Sequence, residues 1–540
     1  MKTLLALALT FILIVHRPEL ALAEAMVATA NKHASEAAAA MIKKGGSAVD
    51  AAIAAQMVLT LVEPQSSGIG GGAFMLARKA GTGEIAAYDG REKAPAAATP
   101  ELFLNAGGQP LGFMQAVVGG RAVGVPGAIA MLERAHKAQG KLPWAELFTP
   151  AIGLAEKGFR VSPRMAYLVA RFKRLSDQPT TKPYFYPGGK PVTAGHLLKN
   201  PEYARTLRII AREGAKGFYE GPVAQAIVDA VRGHKTNAGG MTLEDLKAYE
   251  AKLRKPVCAP YRAYTVCGMP PPTSGGLTSL MILKMIERFD VPAMKPGSVE
   301  AVHVIAEASR MAFADRGVYM ADSDFVDVPV EGLLNEDYLS SRSALISAER
   351  SMGEAAAGTP PGVKRKKAAA DDATRPGTTH LSIVDHDGNA VSMTSSVEGG
   401  FGAHLMAAGF LLNNQLTDFS FLPERGGMTV ANRVQPGKRP RSSMSPSLVF
   451  NQDGSLFAAV GSPGGSRIIG YVTKSMIGLM DWKLSMQEAV NLPHFINRNG
   501  KTDLEKGTSL AGLGAKLEAM GHRVRVRSLN SGLHGIRVTA

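Results

Sequence analysis

The chain has 540 residues, of which 45% are hydrophobic and 20% charged, a composition that excludes a disordered chain and suits one large α/β unit or two domains. Its formal net charge is +15, but the sequence contains no basic helix and no nucleic-acid-binding motif. The densest basic run, VKRKK at 363–367, lies among Ala, Gly and Pro residues and is typical of a solvated linker, so no nucleic-acid partner is expected.

Residues 1–23 have the pattern of a signal peptide. Lys2 precedes an apolar run that is too short to span a membrane comfortably, and Ala21–Ala23 matches the small residues of a signal-peptidase site. No later stretch of the sequence is long and apolar enough to span a bilayer. We therefore expect cleavage near residue 23 and export to a bacterial periplasm or to the exterior.

Helices with intervening strands are predicted from residue 24 to about residue 350. The alanine-rich run is expected to end at Gly45, and Ser47 with Asp50 predicts a capping box for the next helix. Apolar spacing predicts helices at three later stretches, which are 99–108, 222–233 and the segment after Ser298.

The two cysteines, Cys258 and Cys267, flank a predicted β-hairpin. In an oxidising compartment a cross-strand disulfide is favoured, and two buried thiols are the alternative. Neither cysteine belongs to a metal-ligand pattern, and the 12 histidines form no HExxH motif or similar cluster. The sequence therefore predicts neither a metal nor an organic cofactor.

Residues 353–377 differ in character from the rest of the chain. They are rich in Ala, Gly, Pro and charged residues and have no periodic apolar pattern, which predicts a flexible surface segment. The segment ends at Gly377 and runs directly into Thr378. From His380 onward, apolar and polar residues alternate on both sides of Asp387–Gly388, which predicts two strands joined by a turn.

A threonine at this junction acquires a specific chemistry if the chain is cut before it. The hydroxyl of an internal threonine lacks a base, whereas a free α-amine has a pKa of about 7.7–8.0 and can accept the hydroxyl proton near neutral pH. The structural alternative is a threonine that only starts a strand. Three other stretches place polar residues or glycines at strand ends: LLNNQLTDFS at 411–420, KRPRSSMSPS at 438–447 and GSPGGSRII at 461–469.

Taken together and in this order, these stretches resemble the γ-glutamyltranspeptidase family of N-terminal-nucleophile hydrolases. Supporting matches include GGSAVDAAIAAQMVL, YDGREKAP and HVIAEASRMAFADRGVYMAD, and the resemblance covers about residues 26–536. It implies an α/β (α+β) fold, a four-layer αββα sandwich formed by two chains from one precursor. A cut between Gly377 and Thr378 would give a large subunit of residues 24–377 and a small catalytic subunit of residues 378–540.

The resemblance also implies a reaction and roles for individual residues. Thr378 would attack the γ-glutamyl amide of a donor such as glutathione, and the acyl-enzyme would pass its γ-glutamyl group to water or to an amino acid or peptide. The implied catalytic residues are Thr378, Thr379, Ser396 and the oxyanion-hole pair Gly464 and Gly465. The implied substrate-binding residues are Arg91, Glu398, Gln415, Asp418, Ser442 and Ser443.

These residue types suit an amino-acid head group. Its carboxylate needs the planar fork of an arginine, here Arg91 with two serine hydroxyls, and its ammonium needs acceptors such as Asp418. From the sequence alone, Arg91 also fits a surface ion pair. Glu398 stands where some relatives have asparagine, and residues 419–441, where many relatives carry a lid, contain no Tyr or Trp, which argues against an aromatic gate.

Two other kinds of function remain open from the sequence. The same fold and nucleophile would serve an acylase for glutaryl-type side chains or a depolymerase of poly-γ-glutamate. A glutaryl group, however, has no ammonium for Glu398, Gln415 and Asp418 to bind. A non-catalytic exported binding protein is a different class, and the presence of Thr378 together with both glycines of the turn argues against it.

Overall fold

The computed structural model describes residues 24–364, 367–370 and 377–539. The predicted signal peptide lies outside the described residues, and so do residues 365–366 and 371–376 of the segment predicted to be flexible.

The described part contains both strands and helices along most of its length. Its strands are β1 (Met26–Ala28), β2 (Gly72–Arg78), β3 (Ile85–Gly90), β4 (Phe159–Arg160), β5 (Leu197–Leu198), β6 (Lys252–Arg254), β7 (Val257–Tyr261), β8 (Tyr264–Gly268), β9 (Thr378–Val384), β10 (Ala390–Ser396), β11 (Met406–Ala407), β12 (Phe410–Leu411), β13 (Glu424–Arg425), β14 (Met428–Thr429), β15 (Ser447–Phe450), β16 (Leu456–Gly461), β17 (Phe495–Asn497), β18 (Thr502–Glu505), β19 (Val524–Arg527) and β20 (His534–Arg537). Its α-helices are α1 (Lys32–Lys43), α2 (Ala48–Val62), α3 (Phe113–Val117), α4 (Ala128–Gln139), α5 (Thr149–Lys157), α6 (Pro163–Arg171), α7 (Lys182–Phe185), α8 (Pro201–Glu213), α9 (Lys216–Tyr219), α10 (Gly221–Arg232), α11 (Leu243–Lys247), α12 (Gly275–Ile286), α13 (Val299–Tyr319), α14 (Val330–Leu333), α15 (Glu336–Ala344), α16 (Ile468–Met480), α17 (Met486–Asn491) and α18 (Gly514–Ala519).

Two antiparallel sheets form the centre of the molecule. The first has the strand order β1-β9-β10-β2-β3-β6 and the second the order β20-β16-β15-β8-β7. Along β2, Ala73 and Met75 enter one hydrophobic cluster while Phe74 and Leu76 enter another, because alternate residues of a strand point to opposite faces. Strands β9 and β10 lie against β16, so the two sheets stack face to face.

Helices cover the outer face of each sheet. Helices α1, α2, α4, α5 and α8 share the cluster that contains Met75, and α12, α13 and α16 share the cluster of the second sheet. Helix α2 is buried along all 15 residues, as expected for a helix that is apolar all round. This is the predicted four-layer αββα arrangement, so the fold prediction is confirmed. Among the residues described, no helix combines the length and the apolar character needed to cross a bilayer.

Several local predictions are also confirmed. Gly45 follows α1 in the left-handed region at φ +84°, and Ser47 and Asp50 form the capping box of α2. Helices α10 and α13 occupy two of the predicted helical stretches. Cys258 and Cys267 form a disulfide bond between β7 and β8, which resolves the choice between a disulfide and two thiols.

The predicted helix at 99–108 is wrong. The segment forms turns, and Leu104 pairs with Pro110 in an isolated bridge. Phe103 is fully buried and stacks on Phe421 with ring centroids 4.5 Å apart. Packing against a distant segment therefore overrides the local apolar spacing.

The first part of the segment predicted to be flexible from residue 353 is hydrogen-bonded to the rest of the protein, and its flexibility stays a prediction. Residues 353–364 form neither helix nor strand. However, the Ala355 N–H donates to the side chain of Asn499 at 2.8 Å, and the Gly358 N–H donates to the carboxylate of Asp315 at 2.7 Å. These hydrogen bonds attach the first part of the segment to α13 and to the loop after β17.

Candidate active site

Thr378 begins β9 and lies opposite Ser396, the last residue of β10. Its Oγ1 is 3.1 Å from Ser396 Oγ. Ser396 Oγ accepts a hydrogen bond from the Glu398 N–H at 2.8 Å and donates its own proton to the carbonyl oxygen of Gly377 at 3.1 Å. Thr378 is therefore the donor in its contact with Ser396, and the lone pairs of its oxygen remain available for attack on a carbonyl carbon.

The residue before the threonine has room for no side chain. A Cβ at Gly377 would lie 2.4 Å from the carbonyl oxygen of Glu398 and 2.5 Å from the carbonyl carbon of Gly399. Both contacts are with backbone atoms, which cannot turn away as a side chain can. The glycine therefore allows its peptide group to lie directly against the end of β10.

Gly464 and Gly465 form the turn between β16 and α16. Their φ angles are +144° and +60°, and a Cβ at Gly464 would lie 2.7 Å from the ring of Tyr471. Their N–H groups have no intrahelical acceptor because they precede the first helical turn. Gly465 lines the same cavity as Thr378, so the turn offers N–H donors and the positive end of a helix to a developing oxyanion.

Arg91 is fully buried, which excludes the surface ion pair that the sequence left open. Its Nη2 is 2.5 Å from Asp418 Oδ2, and its Nε donates to the carbonyl oxygen of Pro440 at 3.1 Å. Arg91 follows β3, whereas Asp418 ends a short 3-10 helix at Gln415–Asp418. The pair supplies, side by side, the two opposite charges that an amino-acid head group requires.

Two further side chains that carry oxygen acceptors, Glu398 and Gln415, line the same cavity as Asp418. Gln415 donates through Nε2 to Asp418 Oδ2 at 2.7 Å, and Glu398 accepts at Oε2 from Asn414 Nδ2 at 2.6 Å. Glu398 has a φ of +76°, which is uncommon for any residue other than glycine. Asn414 was not among the predicted site residues, although it lies in the same LLNNQLTDFS stretch.

Ser442 and Ser443 lie before β15 and line the cavity. Ser443 Oγ accepts a hydrogen bond from Arg316 Nη2 at 2.7 Å, and Ser442 Oγ accepts one from the Met444 N–H at 3.1 Å. Because both oxygens act as acceptors in these bonds, both hydroxyl protons can be donated to a carboxylate. Arg316 lies 127 residues from Ser443 in the chain, and no local sequence signal connects the two.

The cavity beside the nucleophile is narrow. Its volume is about 20 Å³, which is room for about one water molecule. Nine of the eleven predicted site residues line it, together with the apolar side chains of Met444 and Ile468. Gly464 does not line the cavity itself but directly precedes Gly465, which does. Thr379 pairs with Ser395, faces the other side of β9 and does not line the cavity.

Glu92, a residue with no sequence signal of its own, lies behind Arg91. It is fully buried, and its Oε2 is 3.5 Å from Arg91 Nη1. Burial raises the pKa of Glu92 to about 7, and the guanidinium of Arg91 offsets this effect only in part. The folded protein therefore holds a proton on Glu92 at pH values where an unfolded glutamate is ionised.

We expect Glu92→Gln to stabilise the protein at pH 8 but not at pH 5. Between about pH 4.5 and 7 the folded state keeps a proton that the unfolded chain releases, so the free energy of unfolding falls as the pH rises through this window. Glutamine is neutral at both pH values, and its gain should reach about 1–3 kcal/mol at pH 8. Urea unfolding at the two pH values measures this difference. Glu36→Gln, at an exposed side chain, is the control, and an equal effect of Glu92→Gln at both pH values would contradict the prediction.

One group among the described residues has the composition of a metal site. It consists of His303, Glu307 and His522, all buried. His303 Nδ1 and His522 Nε2 are 2.7 Å apart, and the other ring nitrogens contact the carbonyl oxygen of Ser347 at 2.8 Å and the hydroxyl of Thr502 at 2.9 Å. All four ring nitrogens thus have hydrogen-bond partners that a metal would have to displace. We interpret the group as a hydrogen-bonded chain between α13 and β18.

A threonine that begins a strand of a four-layer αββα sandwich, facing a glycine turn, defines the chain as an enzyme of the N-terminal-nucleophile hydrolase class. The γ-glutamyltranspeptidase family model matches residues 34–540. The glutathione hydrolase proenzyme of Bacillus subtilis (strain 168) is 37% identical over 509 residues, which are 93% of this chain and 85% of that protein. The glutathione hydrolase proenzyme of Escherichia coli (strain K12) is 37% identical over 526 residues, 95% of this chain and 88% of that protein.

Among solved structures, a cephalosporin acylase from Bacillus halodurans is similar with a TM-score of 0.83 at 28% identity. The match covers 96% of this chain and 94% of that one. The chain belongs to the γ-glutamyltranspeptidase family.

Proposed function

We propose that this chain is a proenzyme that cuts itself between Gly377 and Thr378 and then transfers γ-glutamyl groups from donors such as glutathione to water, amino acids or peptides. The observation that carries this proposal is that the Thr378 hydroxyl shares one cavity with the Arg91–Asp418 ion pair. The nucleophile and a pair of side chains that could bind a free amino-acid head group thus line the same cavity.

Self-cleavage is supported by the contacts of Thr378 in the intact chain. Thr378 Oγ1 attacks the carbonyl carbon of Gly377 and gives its proton to Ser396 Oγ, while Ser396 gives its own proton to the former carbonyl oxygen and so stays neutral. When the C–N bond breaks, the proton on that oxygen passes to the leaving nitrogen and the carbonyl re-forms, which leaves an ester between Gly377 and the threonine oxygen. Water hydrolyses this ester and yields a Gly377 carboxylate and a Thr378 with a free α-amine.

The mature enzyme uses the same oxygen on a donor. The new α-amine accepts the hydroxyl proton as Thr378 attacks the γ-carbonyl, and the N–H groups of Gly464 and Gly465 stabilise the oxyanion. The α-amine then gives its proton to the leaving amine. Water or a second amine resolves the acyl-enzyme by the reverse steps.

Binding of the donor head requires the ion pair to open. Arg91 and Asp418 now contact each other at 2.5 Å, and a cavity of about 20 Å³ cannot hold a glutamyl group. A zwitterionic head replaces one ion pair by two, because its carboxylate takes Arg91 and the serine hydroxyls while its ammonium takes Asp418. A head group with a carboxylate but no ammonium would also take Arg91, and the buried Asp418 would then lose the arginine without gaining an ammonium in its place.

The acylase alternative is supported by the likeness to a cephalosporin acylase. It is disfavoured by the concentration of oxygen acceptors at Glu398, Gln415 and Asp418, which a glutaryl group cannot use. We therefore rank γ-glutamyl transfer first and glutaryl-type acylation second.

Ser396→Ala is expected to slow self-cleavage by about 10- to 100-fold, because the Gly377 carbonyl loses its hydrogen-bond donor and Thr378 loses its proton acceptor. The precursor band on a denaturing gel, followed over time after synthesis, measures the rate. Ser395→Ala is the matched control, since this neighbour is equally buried but its hydroxyl has no hydrogen-bond partner in the described part of the chain. Equal cleavage rates for the two variants would show that Ser396 takes no part.

The proposal as a whole is tested on the purified wild-type protein. We expect two bands on a denaturing gel, a smaller chain that begins Thr-Thr-His-Leu, and release of 4-nitroaniline from γ-glutamyl-4-nitroanilide. We also propose that the two chains remain associated as a heterodimer and that the enzyme is exported, which is supported by the pattern of residues 1–23 and by the Cys258–Cys267 disulfide. The larger chain should then begin near residue 24. A single uncut, inactive chain would overturn the proposal.

A further inference from the structure

The turn formed by Gly464 and Gly465 packs against the ring of one aromatic residue. Tyr471 is the fourth residue of α16, and its ring reaches back past the start of the helix. A Cβ at Gly464 would lie 2.7 Å from Tyr471 Cε2 and 3.1 Å from Tyr471 Cδ2. The ring therefore covers the face of Gly464 on which any other residue would carry its side chain.

The conformation of Gly464 decides where the N–H donors of this glycine turn point. Its φ of +144° is open to glycine, which has no side chain and can adopt many other conformations at similar free energy. The Gly465 N–H belongs to the peptide group that follows Gly464, so it changes direction when the backbone of Gly464 rotates. An oxyanion donor is effective only if it is oriented before the charge develops. A contact that fixes Gly464 therefore fixes the direction of these donors.

The ring of Tyr471 is itself held in place by His494, which directly precedes β17. The centroids of the two rings are 4.4 Å apart, and Tyr471 is fully buried. Lys474 Nζ donates to His494 Nδ1 at 2.8 Å, so the proton of the neutral imidazole lies on Nε2, which donates to Ser531 Oγ at 2.8 Å. Burial and the nearby Lys474 lower the pKa of His494 to about 3. The imidazole is thus neutral and bonded at both nitrogens while its ring supports the tyrosine.

We propose that Tyr471 is a positioning residue: its ring, held by His494, fixes the glycine turn so that the N–H groups of the turn face the carbonyl that Thr378 attacks. This inference rests on the proposed function. It also predicts a difference between the two reactions of Thr378. In self-cleavage the former carbonyl oxygen receives a proton from Ser396, whereas the mature enzyme stabilises the oxyanion with the glycine turn. Loss of the Tyr471 ring should therefore slow the transfer reaction and leave self-cleavage unchanged.

Tyr471→Leu is expected to lower kcat/KM for γ-glutamyl-4-nitroanilide by about 10- to 100-fold, because the oxyanion donors lose their fixed orientation. The rate at which the precursor band disappears should equal that of wild type. L-Norvaline, which has the amino-acid head but no γ-carbonyl, should inhibit kcat/KM with an unchanged Ki, since the head binds beside Arg91 and Asp418. A reaction of L-norvaline as acceptor does not alter kcat/KM, because it follows formation of the acyl-enzyme.

Three further variants complete the experiment. Tyr471→Phe keeps the ring and should keep kcat/KM. Val472→Ala is the matched control, since Val472 lies in the same helix and is as fully buried as Tyr471, and it should leave kcat/KM unchanged. His494→Gln removes the ring that supports Tyr471 and should lower kcat/KM by a smaller factor than Tyr471→Leu. This variant decides the question if Tyr471→Leu does not fold.

An unchanged kcat/KM in folded Tyr471→Leu overturns this inference alone, and so does an unchanged kcat/KM in His494→Gln if Tyr471→Leu does not fold. A loss of self-cleavage and of L-norvaline binding that parallels the loss of kcat/KM also overturns it, because Tyr471 would then only support the fold. A wild-type protein that does not cleave the donor overturns the proposed function and this inference with it.

Discussion

Replacing Thr378 by alanine is expected to leave the chain in one piece and to lower γ-glutamyl-4-nitroanilide hydrolysis by at least about 10³-fold. The variant lacks the oxygen that attacks Gly377 and that would later carry the acyl group. Thr378→Ser retains this oxygen and should still be cut, at a lower rate. A denaturing gel and the initial rate of 4-nitroaniline release measure both effects.

The control for this pair is Thr82→Ala, in the exposed turn between β2 and β3, which should be cut and active like wild type. A Thr378→Ala chain that still appears as two bands would show that an external protease makes the cut. If the Thr378→Ala chain is cut but inactive, Thr378 remains the proposed catalytic nucleophile and only self-cleavage is ruled out.

Replacing Asp418 by asparagine is expected to change the donor preference. The kcat/KM for γ-glutamyl-4-nitroanilide should fall by about 10²-fold, because the ammonium of the donor loses its buried counter-charge. The kcat/KM for glutaryl-4-nitroanilide, which has no ammonium, should stay the same or rise. The variant would then use the two donors in a ratio closer to that of an acylase.

The comparison of the two donors distinguishes recognition of the ammonium from a structural role. Asp418 also binds Arg91, so an equal loss on both donors would mean that Asp418 mainly positions the arginine. Asp327→Asn is the matched control, since its carboxylate is exposed and pairs with the exposed Lys364. It should alter neither donor.

The sequence predicted those parts of the fold that local interactions determine. The Ser47–Asp50 capping box and the hairpin that begins at Thr378 depend on neighbouring residues and could be predicted without tertiary information. The helix predicted at 99–108 failed because Phe103 packs on Phe421, more than 300 positions along the chain. Local spacing carries no information about such a contact.

The same distinction applies to the candidate site. Nine of the eleven residues chosen by resemblance meet around one cavity, but their supporting partners were missed. Glu92 is significant only because it is buried against Arg91, and Arg316 only because folding brings α13 to Ser443. Charged residues of this kind are abundant in any sequence, and only the folded geometry separates them from surface charges.

The order of strands in the two sheets determines how the two pieces of the mature enzyme can assemble. Strands β9 and β10 lie between β1 and β2, and β15 and β16 lie between β8 and β20. The proposed cut after Gly377 would therefore divide the chain, and each sheet would contain strands from both pieces. Either piece made alone would expose unpaired strand edges, which promote aggregation. Both sheets are thus assembled in the uncut chain. A mature enzyme that is later unfolded no longer has the covalent connection that brought the strands of its two pieces into register.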